Sequence, residues 1–249
     1  MDHGAAIIQD SAEEMRVPTY WQSIDWPKLV ADYPPPPDYF SGGSPTTVDV
    51  RVTQERRVLA RIQEAWEVPF YRRRWTDAGL SPGDITSIDD IQKIPPFSAA
   101  DLKASIEERP PYGLHHPFGA EKFGSMPIKI ATSGGTTGRP RATLFDPVAF
   151  EVQAIQGARA LWAAGARPGD VVQIPRTLSL ANAGWLYYAA CHHWLGCVPL
   201  TTGSGAVTSS EEQLEAARTF GTVGWTARAE YLGRLVTVAK EIGFDLHQL

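Results

Sequence analysis

The feature that most limits the fold is an alternation that begins at Ile128. Five short runs rich in apolar or β-branched residues each fit a strand: Ile128-Lys129-Ile130-Ala131, Ala142-Thr143-Leu144-Phe145, Val171-Val172-Gln173-Ile174, Cys197-Val198-Pro199-Leu200 and Thr222-Val223-Gly224-Trp225. Helical periodicities lie among them. Residues 148–164 place Val148, Val152, Ile155 and Trp162 near one face. A second helix runs from about Gly184 to Leu195. A third ends at Ala217, and either Thr208 with Glu211 or Ser209 with Glu212 makes its capping box. The last, 227–242, turns Tyr231, Leu232, Leu235 and Val238 inward. Strands that alternate with helices need crossover connections, so the pattern predicts βαβ units: an α/β fold with a mostly parallel sheet flanked by helices.

Before this point the chain reads as small helices and turns. A helix is predicted after Thr53, and Pro69 interrupts its pattern before Phe70-Tyr71-Arg72-Arg73-Arg74-Trp75 resumes it. Consecutive arginines fan around a helix, so this triplet predicts a solvated face. Ser87 and Ser98 fit the N-caps of two short helices. Residues 1–52 are predicted to form an irregular arm. The Pro34–Pro37 run excludes a helix there and favours polyproline II, while Trp21, Trp26, Tyr33, Tyr39 and Phe40 are too aromatic for a bare linker. Two readings fit the arm, a ligand for a proline-reading partner or a strap laid over the domain.

The formal charge of -5 argues against bulk nucleic-acid binding, which needs clustered excess Lys and Arg. No apolar run reaches the ~18 residues of a spanning helix, and Met1-Asp2-His3-Gly4 lacks the form of a signal peptide. A cytoplasmic protein with no nucleic-acid or membrane partner is expected. Cys191 and Cys197 read as two buried thiols in a reducing compartment.

The segment with chemical content is Ser133-Gly134-Gly135-Thr136-Thr137-Gly138-Arg139-Pro140-Arg141. Glycines let successive N–H groups approach an anion, Ser133, Thr136 and Thr137 add hydroxyl donors, and Arg139 and Arg141 add permanent charge. Neither a Walker loop nor a dinucleotide fingerprint is present in it. On composition alone, a phosphate cradle and a plain hairpin loop fit equally.

The string resembles the phosphate-binding signature of the adenylate-forming enzymes (acyl-CoA synthetases, adenylation domains and luciferases), with Arg141 where their usual form ends in Lys. A second likeness narrows the branch. Residues 69–80, Ile88-Asp89-Asp90-Ile91-Gln92-Lys93-Ile94-Pro95 and Phe97-Ser98-Ala99-Ala100-Asp101-Leu102 look like the N-terminal region of phenylacetate–CoA ligases. So do Gly169-Asp170-Val171-Val172 and Leu195-Gly196 before a strand, and the likeness covers about residues 55–245. It implies activation of a carboxylic acid, an aryl acid by branch, in two steps. The carboxylate attacks the α-phosphate of ATP, giving an acyl-adenylate and pyrophosphate; a thiol, usually coenzyme A, then displaces AMP. Mg²⁺ accompanies the phosphates. The grip on the β- and γ-phosphates falls by position to Ser133, Gly134, Gly135, Thr136, Thr137 and Gly138, flanked by Arg139 and Arg141.

The family's later signatures have no counterpart in these 249 residues. There is no Tyr-Gly-x-Thr-Glu, hence no aromatic cover for adenine and no Mg²⁺-binding Glu, and none of the lysines stands at the position of the lid's catalytic Lys. Residues 53–249 are therefore expected to be an incomplete adenylate-forming large domain without its C-terminal half and lid. A truncated product or one half of a split enzyme both fit, with truncation favoured. The chain alone is expected to be inactive, and a homodimer or a complementing C-terminal half is the expected macromolecular partner. The alternative is a non-catalytic nucleotide- or phosphate-binding module. No catalytic residue and no metal ligand is assigned. His192-His193 diverge too far to share a metal, though one could line an acyl pocket; His115-His116 read as solvated; Asp84, Asp146 and Asp170 follow turn logic.

Overall fold

The computed structural model describes residues 19–43, 45–133 and 140–248. In chain order its helices are α1 (Trp26–Asp32), α2 (Thr47–Ala65), α3 (Pro69–Asp77), α4 (Ala99–Glu108), α5 (Pro147–Ala163), α6 (Asn182–Ala189), α7 (Ser210–Phe220) and α8 (Ala229–Glu241). Its strands are β1 (Lys129–Ser133), β2 (Arg141–Phe145), β3 (Val171–Gln173), β4 (Val198–Leu200) and β5 (Thr222–Trp225). The chain divides into two compact units, one built on Gly42–Pro127 and Arg141–Leu144, the other on Thr19–Ser41, Ile128–Pro140 and Phe145–Leu249.

The first unit is helical. The helix predicted after Thr53 starts at Thr47, because Thr46 and Asp49 cap each other: the Asp49 N–H donates to Thr46 Oγ1 at 3.2 Å and the Thr46 N–H to Asp49 Oδ2 at 3.1 Å. These bonds satisfy N–H groups that a helix start leaves bare. Pro69 opens α3 at its first turn, where a missing N–H costs nothing. Trp66 and Trp75 are buried edge to face, 5.0 Å apart. The arginine triplet fans as expected. Arg73 and Arg74 reach Glu108 and Asp101 at 2.6 and 3.0 Å and clip α3 to α4, and Arg72 faces solvent.

The second unit carries a three-stranded parallel sheet in the order β4-β3-β5. Pro199 lacks a ladder donor and sits in β4, an edge strand among the described residues, where that lack is tolerated. Neighbours on a strand point to opposite faces, and β3 uses both. Val172 packs with Ala158 of α5 and with Ala190, Cys191, Leu195 and Cys197 from the turns that follow α6. Gln173 is fully buried on the other face. Its amide donates to the Gln213 carbonyl of α7 at 3.1 Å and accepts from Thr222 Oγ1 at 3.2 Å. Helices therefore cover both faces of the sheet. After α6 the chain widens into a π-helix over Ala190–Leu195, which Gly196 closes at φ 65°, a value that side-chain-bearing residues resist.

Two helix faces depart from the hydrophobic pattern. The buried stripe of α5 runs through Pro147, Glu151, Ala154, Ile155, Ala158 and Arg159, a helical spacing with charges at two of its positions. Val148 lies on that side but in the first turn, and stays exposed. In α8 the buried residues are Leu235, Val238 and Ala239, while Leu232 is exposed.

The charged positions of the α5 stripe are covered by the segment before residue 42. Ile24 and Leu29 bury against Ile155. Arg159 donates from Nε and Nη2 to the Pro34 carbonyl at 3.0 and 2.7 Å, and Tyr39 lies 3.8 Å from its guanidinium carbon. The proline run is thus laid along α5.

Candidate active site

β1 enters the glycine-rich segment and β2 leaves it. Gly134, Gly135, Thr136, Thr137, Gly138 and Arg139 lie outside the described residues, as does the side chain of Ser133. β1 is tied to the loop that follows β3, because the Thr132 N–H donates to the Leu180 carbonyl at 2.9 Å. Lys129 adds a second tie from the same strand, its Nζ donating to Asn182 Oδ1 at 2.7 Å. The ammonium faces the rings of Phe145, Phe150 and Trp185 at 5.6, 5.7 and 5.6 Å. Burial lowers its pKa. Sequence reading passed over Lys129; a cation set between Ile128 and Ile130 in a strand was its only mark.

Arg141, at the other end of the segment, is half-buried in the first unit beside His115 and His116. The expectation that these histidines are solvated is wrong. His116 Nε2 lies 3.2 Å from the Ala142 carbonyl, so that nitrogen carries the proton, and His115 Nδ1 lies 3.3 Å from Ser105 Oγ. Burial, then the charges of His116 and Arg141, push the His115 pKa down to about 4; burial also lowers that of His116. Both rings stay neutral at pH 7 because their loop folds onto β2 instead of into water.

A cavity of the second unit lies beyond the carboxyl ends of the parallel strands, the usual place for a ligand on such sheets. Its volume is about 410 Å³. Arg176 and Thr177 come from the loop after β3, Ser204 from the loop after β4, and Arg228 and Tyr231 from the chain after β5. Thr177 Oγ1 donates to Ser204 Oγ at 3.2 Å and joins two of these loops. Arg176 is held by a bond from Nε to the Thr226 carbonyl at 2.9 Å and lies 5.5 Å from the Tyr187 ring.

A further polar cluster lies between the N-terminal segment and the π-helix. The Glu151 carboxylate is fully buried and accepts from Tyr20 Oη at 2.6 Å, Trp194 Nε1 at 2.7 Å and His193 Nδ1 at 3.1 Å. Burial alone would raise its pKa; the bonds from His193, Tyr20 and Trp194 outweigh that and hold it below the usual range. His192 turns away from this cluster and stacks on Tyr188 at 5.4 Å. Cys191 and Cys197 are free and buried, and burial pushes Cys191 up to about 12, so it is an inert core thiol. Asp84, Asp146 and Asp170 each accept a backbone N–H three residues away in a turn or cap. Among the described residues no three His, Cys, Asp or Glu side chains gather to hold a metal.

No family model matches the chain. It is 28% identical over 202 residues, 80% of its length, to a phenylacetate-coenzyme A ligase of Pseudomonas putida, and 28% identical over 204 residues to one of Aromatoleum evansii. It covers 43% of each of those two proteins, so it spans less than half of their length. In fold it is similar to 2-hydroxyisobutyryl-CoA ligase in complex with 2-HIB-AMP and CoA, with a TM-score of 0.69 at 26% identity over 79% of this chain and 45% of that one. The thioesterification-state structure of that ligase gives a TM-score of 0.67 at 28% identity. The likeness to the adenylate-forming ligases, read from residues 133–141 and from the phenylacetate–CoA ligase strings, thus holds in sequence and in fold.

Proposed function

We propose that the chain carries the phosphate-gripping and acid-binding part of an AMP-forming acid–thiol ligase, which activates a carboxylic acid with ATP and passes the acyl group to coenzyme A. One observation carries the reading. The strand that delivers the glycine-rich segment is bonded at Thr132 to the loop that lines the cavity beyond the parallel strands, so both belong to one frame. In this reading Ser133 through Gly138 grip the β- and γ-phosphates by backbone N–H and hydroxyl groups, and Arg139 and Arg141 add positive field. The acid enters the cavity, one carboxylate oxygen attacks the α-phosphorus, and pyrophosphate leaves. Mg²⁺ would neutralise phosphate charge. The described residues offer no ligand cluster for it, so none is assigned and no step is routed through it. The names of the sequence relatives favour an aryl acid. A cytoplasmic setting, where ATP and coenzyme A are both at hand, fits this chemistry.

These 249 residues hold no Tyr-Gly-x-Thr-Glu, so the adenine and Mg²⁺ contacts must come from a longer product or from a complementing half. Acid-dependent pyrophosphate exchange should be undetectable with this chain alone. It should appear when the downstream segment of its own locus is supplied. In that active form Thr137→Ala removes one hydrogen bond to a charged group, worth about 1.5–3 kcal/mol, and should slow exchange roughly ten- to over a hundredfold with an unchanged thermal midpoint. Robust exchange by the chain alone overturns the need for a missing half. ATP binding without exchange in any form moves the assignment to a non-catalytic nucleotide-binding module.

A further inference from the structure

We propose that the acid taken up by the cavity beyond β3, β4 and β5 is a dicarboxylate, and that Arg176 holds the carboxylate that is not activated. The inference deepens the ligase reading and depends on it only for the fate of the other carboxylate.

The first ground is charge. Arg176 and Arg228 both line the cavity, and no Asp or Glu lines it. Other arginines of this chain have carboxylate partners: Arg51 with Asp89, Arg73 with Glu108, Arg109 with Glu121, and the half-buried Arg74 with Asp101. Arg176 is half-buried too, yet among the described residues it forms no ion pair. Its terminal nitrogens are not buried, so an anion that enters the cavity can reach a guanidinium with no competing carboxylate.

The second ground is geometry. The bond from Nε to the Thr226 carbonyl and the Tyr187 ring hold the guanidinium in place. Its two terminal nitrogens have no partner among the described residues, which leaves the fork that grips a carboxylate with two parallel bonds. Thr177, Ser204 and Tyr231 put hydroxyls on the same walls. Pro175, Ala181 and Ala183 line the rest of the wall, so the fork stands beside apolar surface that the carbon frame of a diacid can cover. The volume of about 410 Å³ suits a small acid.

The third ground is the chemistry. The carboxylate that attacks the α-phosphorus loses its charge as the O–P bond forms and pyrophosphate departs. A rigid cation gripping that group would stabilise the ground state more than the transition state and slow the step. A carboxylate that keeps its charge throughout is the natural partner for a fixed guanidinium. An aromatic diacid satisfies this as well as a short aliphatic one.

The test is direct binding to the 249-residue chain without ATP, by calorimetry at constant ionic strength. Phthalate should bind about tenfold more tightly than benzoate, and succinate more tightly than butyrate. Arg176→Gln should reduce each preference to under about twofold while leaving the thermal midpoint unchanged, and Arg176→Lys should retain part of it. Equal binding of mono- and dicarboxylates, no binding of either, or a preference that survives Arg176→Gln overturns the proposal. So does Arg176-dependent binding of adenosine 3′,5′-bisphosphate tighter than that of phthalate, which would give the cavity to a nucleotide phosphate. Pyrophosphate exchange separates the two readings. Exchange supported by benzoate without any diacid preference removes this inference and leaves the ligase. A diacid preference without exchange in any form removes the ligase and leaves the pocket.

Discussion

At the scale of single residues, Glu151 is the side chain least expected where it stands. A carboxylate with no solvent exposure survives because Tyr20, Trp194 and His193 all donate to it. Without such donors burial would drive it to the neutral acid. Glu151→Gln keeps the shape, removes the charge and turns an NH₂ group toward donors. The expected loss is about 2–4 kcal/mol at pH 7, read by urea unfolding. The sign of the pH dependence follows from the lowered pKa. The carboxyl is harder to protonate when folded, so its contribution is complete above the ordinary value of 4.5 and fades as pH falls through the folded value. The gap between native and variant stability should therefore close in acid. A variant as stable as the native chain at pH 7 would show that the cluster contributes nothing net.

At the scale of elements, caps and close approaches matter more than propensity. Ser209 and Glu212 form the box that starts α7, the second of the two boxes that the sequence allowed. Ser209→Ala should cost about 1 kcal/mol. Gly157, mid-helix in α5, is there for another reason. A Cβ at that position would stand 2.8 Å from Leu186 Cδ2 and 3.1 Å from Ala190 Cβ, so glycine lets α5 approach α6 and the π-helix closely. Gly157→Val should cost more than the lost cap, about 1–3 kcal/mol from overpacking added to its poorer helix propensity. Denaturant midpoints of the two variants, compared under one condition, check the order. If Gly157→Val proves the milder change, the two helices do not need that contact.

At the scale of the whole molecule, the segment before residue 42 is part of the sheet unit's core. It buries Ile24 and Leu29 on α5 and supplies the Pro34 carbonyl to Arg159. Burial of two such side chains stabilises by about 3–6 kcal/mol, an upper estimate since unfolded chains already bury some surface. A variant lacking residues 1–41 should melt well below the full chain and expose the faces of Ile155 and Arg159. An unchanged midpoint would mean that the segment rests on the surface without holding it.

What the sequence alone determined was local. Strand and helix periods, capping boxes, turn aspartates and the glycine-rich string are all written within a few residues of one another, and β3, β5 and α5 lie within a residue or two of their expected bounds. The glycine-rich string was legible for the same reason, since a phosphate cradle of backbone N–H groups, the role proposed for it, needs only consecutive residues. Tertiary structure decided the rest. Glu151 meets a tyrosine 131 positions away, Lys129 meets an asparagine 53 positions away, and Arg176 is anchored by a carbonyl 50 positions away. Whether a charge is paired, caged or left facing a cavity depends on which distant segments fold around it. Hydrophobic periodicity cannot carry that information, because it reports which side chains leave water and not which polar groups they meet there.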